Sequence, residues 1–392
     1  MEIQEYAANE LQRIKASGNF RFRRSNRLPQ DTEVQFDNVR LINFCSNDYL
    51  GLANHRDIAL AFKAGVDRFG VGSGASHLVC GHNIAHAELE EKLATFVNRQ
   101  RALFFSTGYM ANAALVNVFL NRKSEIFADK LIHASMIDAA NMSNARLSRY
   151  KHCDAGSLAN ALSKSGAENK LVVTDSVFSM DGDIAPLPEI AELCKSSDAW
   201  LGVDDAHGFG VLGKHGAGVT EHYGMSEKQI PLLMATLGKA LGCFGAFIAG
   251  SSDVIELLLQ QGRSYVYTTA PPPALAVAAT RALEILQSET WRREHLNLLI
   301  NRFKNGANNL GLSLMPSDTP IQPLVAGTSE QALELSRNLY EQGILVTAIR
   351  PPTVPKNTAR LRITLTAAHT EAQVDRLLDA LAKSAASITS AT

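Results

Sequence analysis

Six short apolar runs, at 102–105, 125–128, 171–174, 200–203, 232–235 and 246–249, constrain the fold more than any other feature. Each is four residues long, the length of a buried strand core and too short for a buried helix. Amphipathic stretches at about 109–119, 135–147 and 190–194 separate several of them and read as helices. Parallel strands need crossovers of this length, whereas hairpins need only a few residues. The pattern predicts an α/β fold with a mostly parallel sheet covered by helices on both faces. Residues 1–17 predict a further helix, with Ile3, Tyr6, Leu11 and Ile14 on one face.

The texture changes after Tyr265-Val-Tyr-Thr-Thr-Ala-Pro-Pro-Pro. Helices are expected over 274–287 and 291–310, then strands at 322–325, 344–348 and 360–365, and a last helix over 371–385. At about 150 residues per domain, 392 residues suggest two or three units. We expect an N-terminal helix and arm (1–45), a large domain (46–285) and a smaller C-terminal α+β domain (286–392). No internal repeat or low-complexity tract interrupts this plan.

Composition excludes several function classes. A net charge of -1 gives no basic excess, so no nucleic-acid partner is expected. The cysteines at 45, 80, 153, 194 and 243 are odd in number and never spaced C-x-x-C, which suits reduced intracellular thiols rather than a disulfide framework or a zinc site. No metal set is therefore expected. The polar N-terminus is not a secretory signal, and no apolar run approaches the ~20 residues of a membrane helix. The cytoplasm is the expected location, with no membrane contact.

Chemistry-bearing residues cluster just past the apolar runs, where open parallel sheets bind ligands. Trp200-Leu-Gly-Val-Asp204-Asp-Ala-His207-Gly delivers a carboxylate and, three residues later, an imidazole. An anion can keep a pyridine nitrogen protonated, and an imidazole can bond a phenolic oxygen. The alternative is an acidic turn with a surface histidine. Met234-Ala-Thr236-Leu-Gly-Lys239-Ala-Leu-Gly sets a lysine among apolar neighbours, which lowers its pKa and favours the neutral amine that forms imines. A lone lysine more often snorkels at a surface; the pairing with Asp204 one connection earlier argues otherwise. Thr236 offers a hydroxyl to a phosphate.

Phe104-Phe-Ser-Thr-Gly108-Tyr109-Met-Ala-Asn112 reads as strand, tight turn and helix start, hence a phosphate site or simply a capped helix. His133 could stack on a planar ring, and Ser179 follows the 171–174 strand; alone, each is more often structural. Gly208-Phe-Gly210-Val-Leu-Gly213 competes as a dinucleotide fingerprint, but Asp-Asp-Ala-His separates it from its strand and poor helix sequence follows.

Together these residues resemble the α-oxoamine synthases, pyridoxal-phosphate enzymes of fold type I. The matching strings are Asn43-Phe-Cys-Ser-Asn47-Asp-Tyr-Leu-Gly-Leu, Gly72-Ser-Gly-Ala-Ser76, Phe178-Ser-Met-Asp-Gly-Asp183, Val203-Asp-Asp-Ala-His-Gly208, Thr236-Leu-Gly-Lys239 and Tyr267-Thr-Thr-Ala-Pro-Pro. They run from about residue 20 to the C-terminus. Val346-Thr-Ala-Ile-Arg350-Pro-Pro-Thr353-Val-Pro and Ala359-Arg-Leu-Arg362-Ile-Thr-Leu-Thr most resemble the biotin-pathway member, which condenses L-alanine with a pimeloyl thioester.

The resemblance implies a mostly parallel seven-stranded sheet in the large domain and pyridoxal 5'-phosphate as cofactor. Lys239 would hold the cofactor as a Schiff base, Asp204 would face the pyridine nitrogen, His207 would bond the ring oxygen and His133 would stack on the ring. Gly108, Tyr109, Ser179 and Thr236 would help hold the cofactor. Arg362 would grip the amino-acid carboxylate, and Arg21, Asn47, Ser76 and Thr353 would line the substrate side, with His133. Thr268 and Thr269 would reach the phosphate in a neighbouring subunit, making a homodimer with shared sites. The acyl carrier would be coenzyme A or an acyl carrier protein.

Many relatives carry arginine where this chain has His77, which leaves a contact near the acyl-donor entrance open. Other members of the family would share every cofactor residue; an aminotransferase and a non-catalytic subunit are the remaining alternatives. Four arginines at 21, 23, 24 and 27 form either a solvated basic stretch or an attraction for an acidic donor.

Overall fold

The computed structural model describes residues 1–17, 20–351, 353–355 and 357–389. Pro352, part of one matching string, lies outside the described residues. The strands are β1 (Glu33–Phe36), β2 (Val39–Asn43), β3 (Arg101–Phe105), β4 (Glu125–Asp129), β5 (Arg146–Tyr150), β6 (Lys170–Asp175) and β7 (Trp200–Asp204). They continue with β8 (Leu232–Thr236), β9 (Ala246–Gly250), β10 (Ile321–Gly327), β11 (Ile344–Leu345), β12 (Thr347–Ile349) and β13 (Ala359–Thr364).

Seven of them form one sheet in the order β3-β9-β8-β7-β6-β4-β5. Only β9 runs antiparallel to its neighbours, β3 and β8. The strands from β4 to β8 are mutually parallel. β6, β7 and β8 are buried along almost their whole length, as parallel strands covered on both faces must be, and the antiparallel β9 is buried throughout. Two cores flank the sheet: one holds Phe127, Val172, Val203 and Phe247, the other Leu103, Ile126, Leu171 and Ile248. Alternate residues of the same strands face opposite cores.

The helix expected over 135–147 is overrun and needs correction. Helix Ala134–Met142 ends at Ser143, Asn144 turns to a φ of +59°, and 146–150 is strand β5 on the sheet edge. A left-handed asparagine ends the helix before the apolar periodicity does.

Two small sheets complete the chain. β10, β13 and β12 form an antiparallel sheet ordered β10-β13-β12. In the other, β2 pairs with β1 and, in parallel, with β11, setting Ile42 opposite Ile344. The single strand expected over 344–348 is thus two, broken at Val346. Among the described residues no helix is long and apolar enough to cross a membrane.

Candidate active site

Asp175 and Asp204 are the last residues of β6 and β7 and stand opposite each other in register, both buried. Asp204 accepts from Asn112 Nδ2 at 2.7 Å on one oxygen and from the Ala206 amide at 3.0 Å on the other. Asn112 comes from helix Gly108–Asn117 and also bonds Ser135 Oγ at 2.9 Å. Asp175 accepts from the His133 amide at 3.3 Å. Burial raises its pKa strongly, and the facing Asp204 carboxylate adds to the effect.

Lys239 lies in the 237–245 turn after β8, closed by Leu237 N to Gly245 O at 2.9 Å and Gly242 N to Lys239 O at 2.9 Å. Gly242 has a φ of +64°, and a Cβ there would strike the backbone of Leu52 and Ala53, so the turn requires glycine. The turn aims the amine inward, where Nζ lies 2.8 Å from His207 Nε2. Burial lowers the amine to about 8 against the opposing pull of Asp204 and Asp175.

The other nitrogen of His207, Nδ1, meets the Tyr49 hydroxyl at 2.6 Å. That hydroxyl donates to Asn47 Oδ1 at 3.2 Å, so His207 donates from Nδ1 and accepts from Lys239 at Nε2. Burial, then the charges of Lys239 and Arg362, push His207 well below its ordinary pKa, in keeping with this neutral tautomer. Burial also raises Tyr49 to about 12.

Arg362, buried on β13, donates from Nη2 to Asn47 Oδ1 at 3.0 Å and from Nε to Ser179 O at 2.5 Å. It forms no salt bridge to an acidic side chain among the described residues. A buried guanidinium without a carboxylate suits an anionic ligand.

The structure thus brings Asn47, Ser179, Asp204, His207, Lys239 and Arg362 together. His133 caps helix Ala134–Met142 through Nδ1, bonding Ser135, while its residue remains exposed. Thr107 Oγ1 caps the Met110 amide at 3.2 Å, leaving the Gly108 and Tyr109 amides as first-turn donors. The Tyr109 hydroxyl bonds Asp138. Thr236 Oγ1 donates to Gly245 O at 3.0 Å and accepts from Gly238 N at 3.2 Å.

Arg21 and Thr353 line a separate cavity of about 830 Å³ with Leu11, Phe20 and Ile349. Ser76 bridges Thr269. Thr268 is half-buried and Thr269 exposed. Asp175, Tyr49 and Asn112 carry interactions at the centre that motif reading did not single out.

The dinucleotide alternative fails on geometry. Past Gly213 the next helix begins only at Val219. Gly208 and Gly218 pack on Asp205, whose carboxylate accepts from Ser176 Oγ at 2.5 Å and Val219 N at 2.9 Å. His77 lies inside the protein, its ring stacked 4.5 Å from Tyr265 and its Nδ1 3.0 Å from His82 Nδ1. Burial, then His86 and His82, lower it to about 3, so it contributes a neutral packed ring.

The aminotransferase class I and II family model matches residues 39–381. The 8-amino-7-oxononanoate synthase of Methylococcus capsulatus is 56% identical over 96% of this chain and 97% of its own. Among solved structures, serine palmitoyltransferase from S. paucimobilis with a bound PLP–myriocin aldimine superposes with a TM-score of 0.93 at 28% identity, covering 99% of this chain and 100% of that one. The 8-amino-7-oxononanoate synthase of Francisella tularensis superposes at 0.78 with 33% identity, over 89% of this chain and 99% of that one.

The residues present fit pyridoxal phosphate: a buried strand-end carboxylate for a pyridinium, a desolvated amine for an aldehyde, and helix-start amides for a phosphate. The fold is the type I transferase fold expected from the sequence, and the cofactor is the expected one. The chain belongs to the class I and II aminotransferase family and, within it, to the 8-amino-7-oxononanoate synthases.

Proposed function

We propose that this enzyme joins L-alanine to a pimeloyl thioester, releasing carbon dioxide and the free thiol carrier to give 8-amino-7-oxononanoate for biotin synthesis. The observation that carries this reading is a desolvated Lys239 amine held by His207 beside Asp204, with the acid-free Arg362 in the same bonded cluster. The identity to the named synthases supports the choice of substrates.

Pyridoxal phosphate, when bound, supplies an aldehyde that captures amines and a ring that accepts the electron pair released at the α-carbon. Asp204, held rigid by Asn112 and Ala206, would keep the pyridine nitrogen cationic. His207 donates toward Tyr49 and holds the Lys239 amine in line. Lys239, lowered to about 8, is nucleophile for the cofactor and base for the α-proton, which it later returns to the product carbon. Arg362 binds the amino-acid carboxylate with Asn47. His133 would lie against the ring, the Gly108 and Tyr109 amides would take the phosphate, and Ser179 and Thr236 would complete the cofactor contacts. Arg21 and Thr353, from the cavity they line together, and Ser76, at its bridge to Thr269, would serve the substrate side.

We also infer a cytoplasmic homodimer with shared sites and a division into the arm 1–45, large domain 46–285 and small domain 286–392. Helix Ile3–Ala16 buries none of its residues, and Val71, Val79 and Tyr267 are exposed near the Ser76–Thr269 bridge, which supports a second copy covering this side. Thr268 and Thr269 would then serve the partner's phosphate. All five cysteines are free thiols, which supports a reducing compartment. The carrier is coenzyme A or an acyl carrier protein, and the arginines at 21–27 offer an acidic carrier a basic approach.

Product analysis with the holoenzyme tests the reaction. L-Alanine, glycine and L-serine are each supplied with pimeloyl, acetyl, succinyl and palmitoyl thioesters. Alanine with the pimeloyl donor gives 8-amino-7-oxononanoate and one equivalent of carbon dioxide. Preference for another pair, or a keto acid without carbon dioxide, would replace the reading.

A further inference from the structure

Outside the cofactor cluster, one imidazole is clamped between two carboxylates. His152, just past β5, sets Nδ1 3.0 Å from Asp129 Oδ1 and Nε2 2.8 Å from Asp183 Oδ2. Phe178 meets its ring edge-on at 4.3 Å and 89°. Carboxylates only accept, so a ring serving both must carry protons on both nitrogens. Burial opposes that charge, but the hydrogen bonds to Asp129 and Asp183 outweigh it and raise the pKa to about 12. The same carboxylates could reach a metal ion, but the imidazolium already supplies their cation and occupies both ring nitrogens.

What the clamp joins gives it a role. Asp129 ends β4 and accepts from the Leu131 and Cys153 amides, each at 2.8 Å, fixing the turn that leads to His133. Asp183 closes the 178–183 turn, held by Gly182 N to Phe178 O at 2.8 Å and Phe178 N to Asp183 O at 3.1 Å. Gly182 sits at a φ of +74°, and a Cβ there would run into the Ile321 carbonyl, so the turn has little freedom. From its far side the C-terminal part of the chain grips it: Arg360 pairs with Asp181, Ser317 and Thr319 hydroxyls reach Gly182 O at 2.9 Å, and Arg362 reaches Ser179 O.

We propose that His152 is a positioning residue: bonded to Asp129 and Asp183, it pins the Ser179 turn to the His133 turn and so sets where Arg362 presents its guanidinium to the amino acid. It touches no reacting group and acts through the Ser179 carbonyl. The proposal rests on the reading of Arg362 as the amino-acid carboxylate site and deepens it.

Three measurements test it. In the wild-type protein, nitrogen NMR of the histidine rings, with His152 assigned by difference, shows both of its nitrogens protonated at pH 8. His152→Gln and Asp183→Asn retain the cofactor absorbance but bind the amino acid ~10-fold more weakly, as expected for a misplaced binding group. Affinity is read from the change in cofactor absorbance on titration with L-alanine, glycine and L-serine without thioester, so failure of the proposed condensation leaves this test intact. The double variant is no worse than His152→Gln alone, because the contact that Asp183→Asn changes is already lost there. A singly protonated His152 ring at pH 8, or folded variants that lose thermal stability with amino-acid affinity unchanged, would overturn the proposal. If His152→Gln does not fold, Asp183→Asn carries the affinity test, and the wild-type ring is assigned against that spectrum.

Discussion

Lys239 Nζ lies 2.8 Å from His207 Nε2, and the same imidazole carries the contact onward to Tyr49, Asn47 and Arg362. One chain of hydrogen bonds therefore links the amine to the guanidinium. Its members come from the N-terminal 43–52 stretch, the 204–207 turn, the turn after β8, and β13. Shifting any one changes the direction in which the others point.

The hydroxyl of Tyr49 is the link without a substitute. Tyr49→Phe leaves His207 Nδ1 buried without its partner, which costs about 1–3 kcal/mol. We expect a folded protein that binds cofactor and loses on the order of 10-fold in kcat/KM for the amino acid. Steady-state kinetics beside the cofactor absorbance check this; unchanged kcat/KM would mean that the His207 tautomer does not depend on Tyr49.

The lowered amine predicts a pH dependence for cofactor uptake. Imine formation needs the neutral amine, and Lys239 titrates at about 8 rather than the usual 10.5. The rate at which apoenzyme takes up pyridoxal phosphate rises with pH and is half-maximal near 8. A midpoint near 10 would show a solvated lysine. Stopped-flow absorbance across pH 6.5 to ~10.5 separates the two.

Asp175 predicts a stability effect of opposite sign. Its folded pKa is raised by burial and by Asp204, so between the unfolded value of 3.8 and the raised value the unfolded chain binds fewer protons. Stability then falls as pH rises through that window. Asp175→Asn removes this term, so the apoenzyme variant gains on the wild type as pH is raised from about 4.5 to 7. Urea unfolding at three pH values measures it, and a gap that narrows with pH would contradict it.

Much of this is legible in the sequence alone. β6, β7 and β8 declare themselves as apolar runs because both faces of a parallel strand are buried, and Asp204 and Thr236 close two of those strands. The small sheet of β1, β2 and β11 was not legible. β2 depends on Ile42 meeting Ile344 across some three hundred residues, and no local pattern encodes that pairing. Asp175 was missed because its chemistry comes from strand register with Asp204, and Tyr49 because its partner is 158 residues away. The setting of His77, left open by the sequence, depends likewise on a distant partner: stacking on Tyr265 buries it, whereas its neighbours Leu78 and Val79 are exposed.

The central claim is that the Lys239 amine bonds covalently to the cofactor aldehyde. Borohydride reduction of the holoenzyme followed by peptide mass analysis tests it directly, with Lys239→Ala as the control. The account predicts one pyridoxyl label on the peptide containing Lys239, and a folded control that carries neither label nor turnover. A label on a different lysine, or turnover retained by the control without added amine, would contradict it.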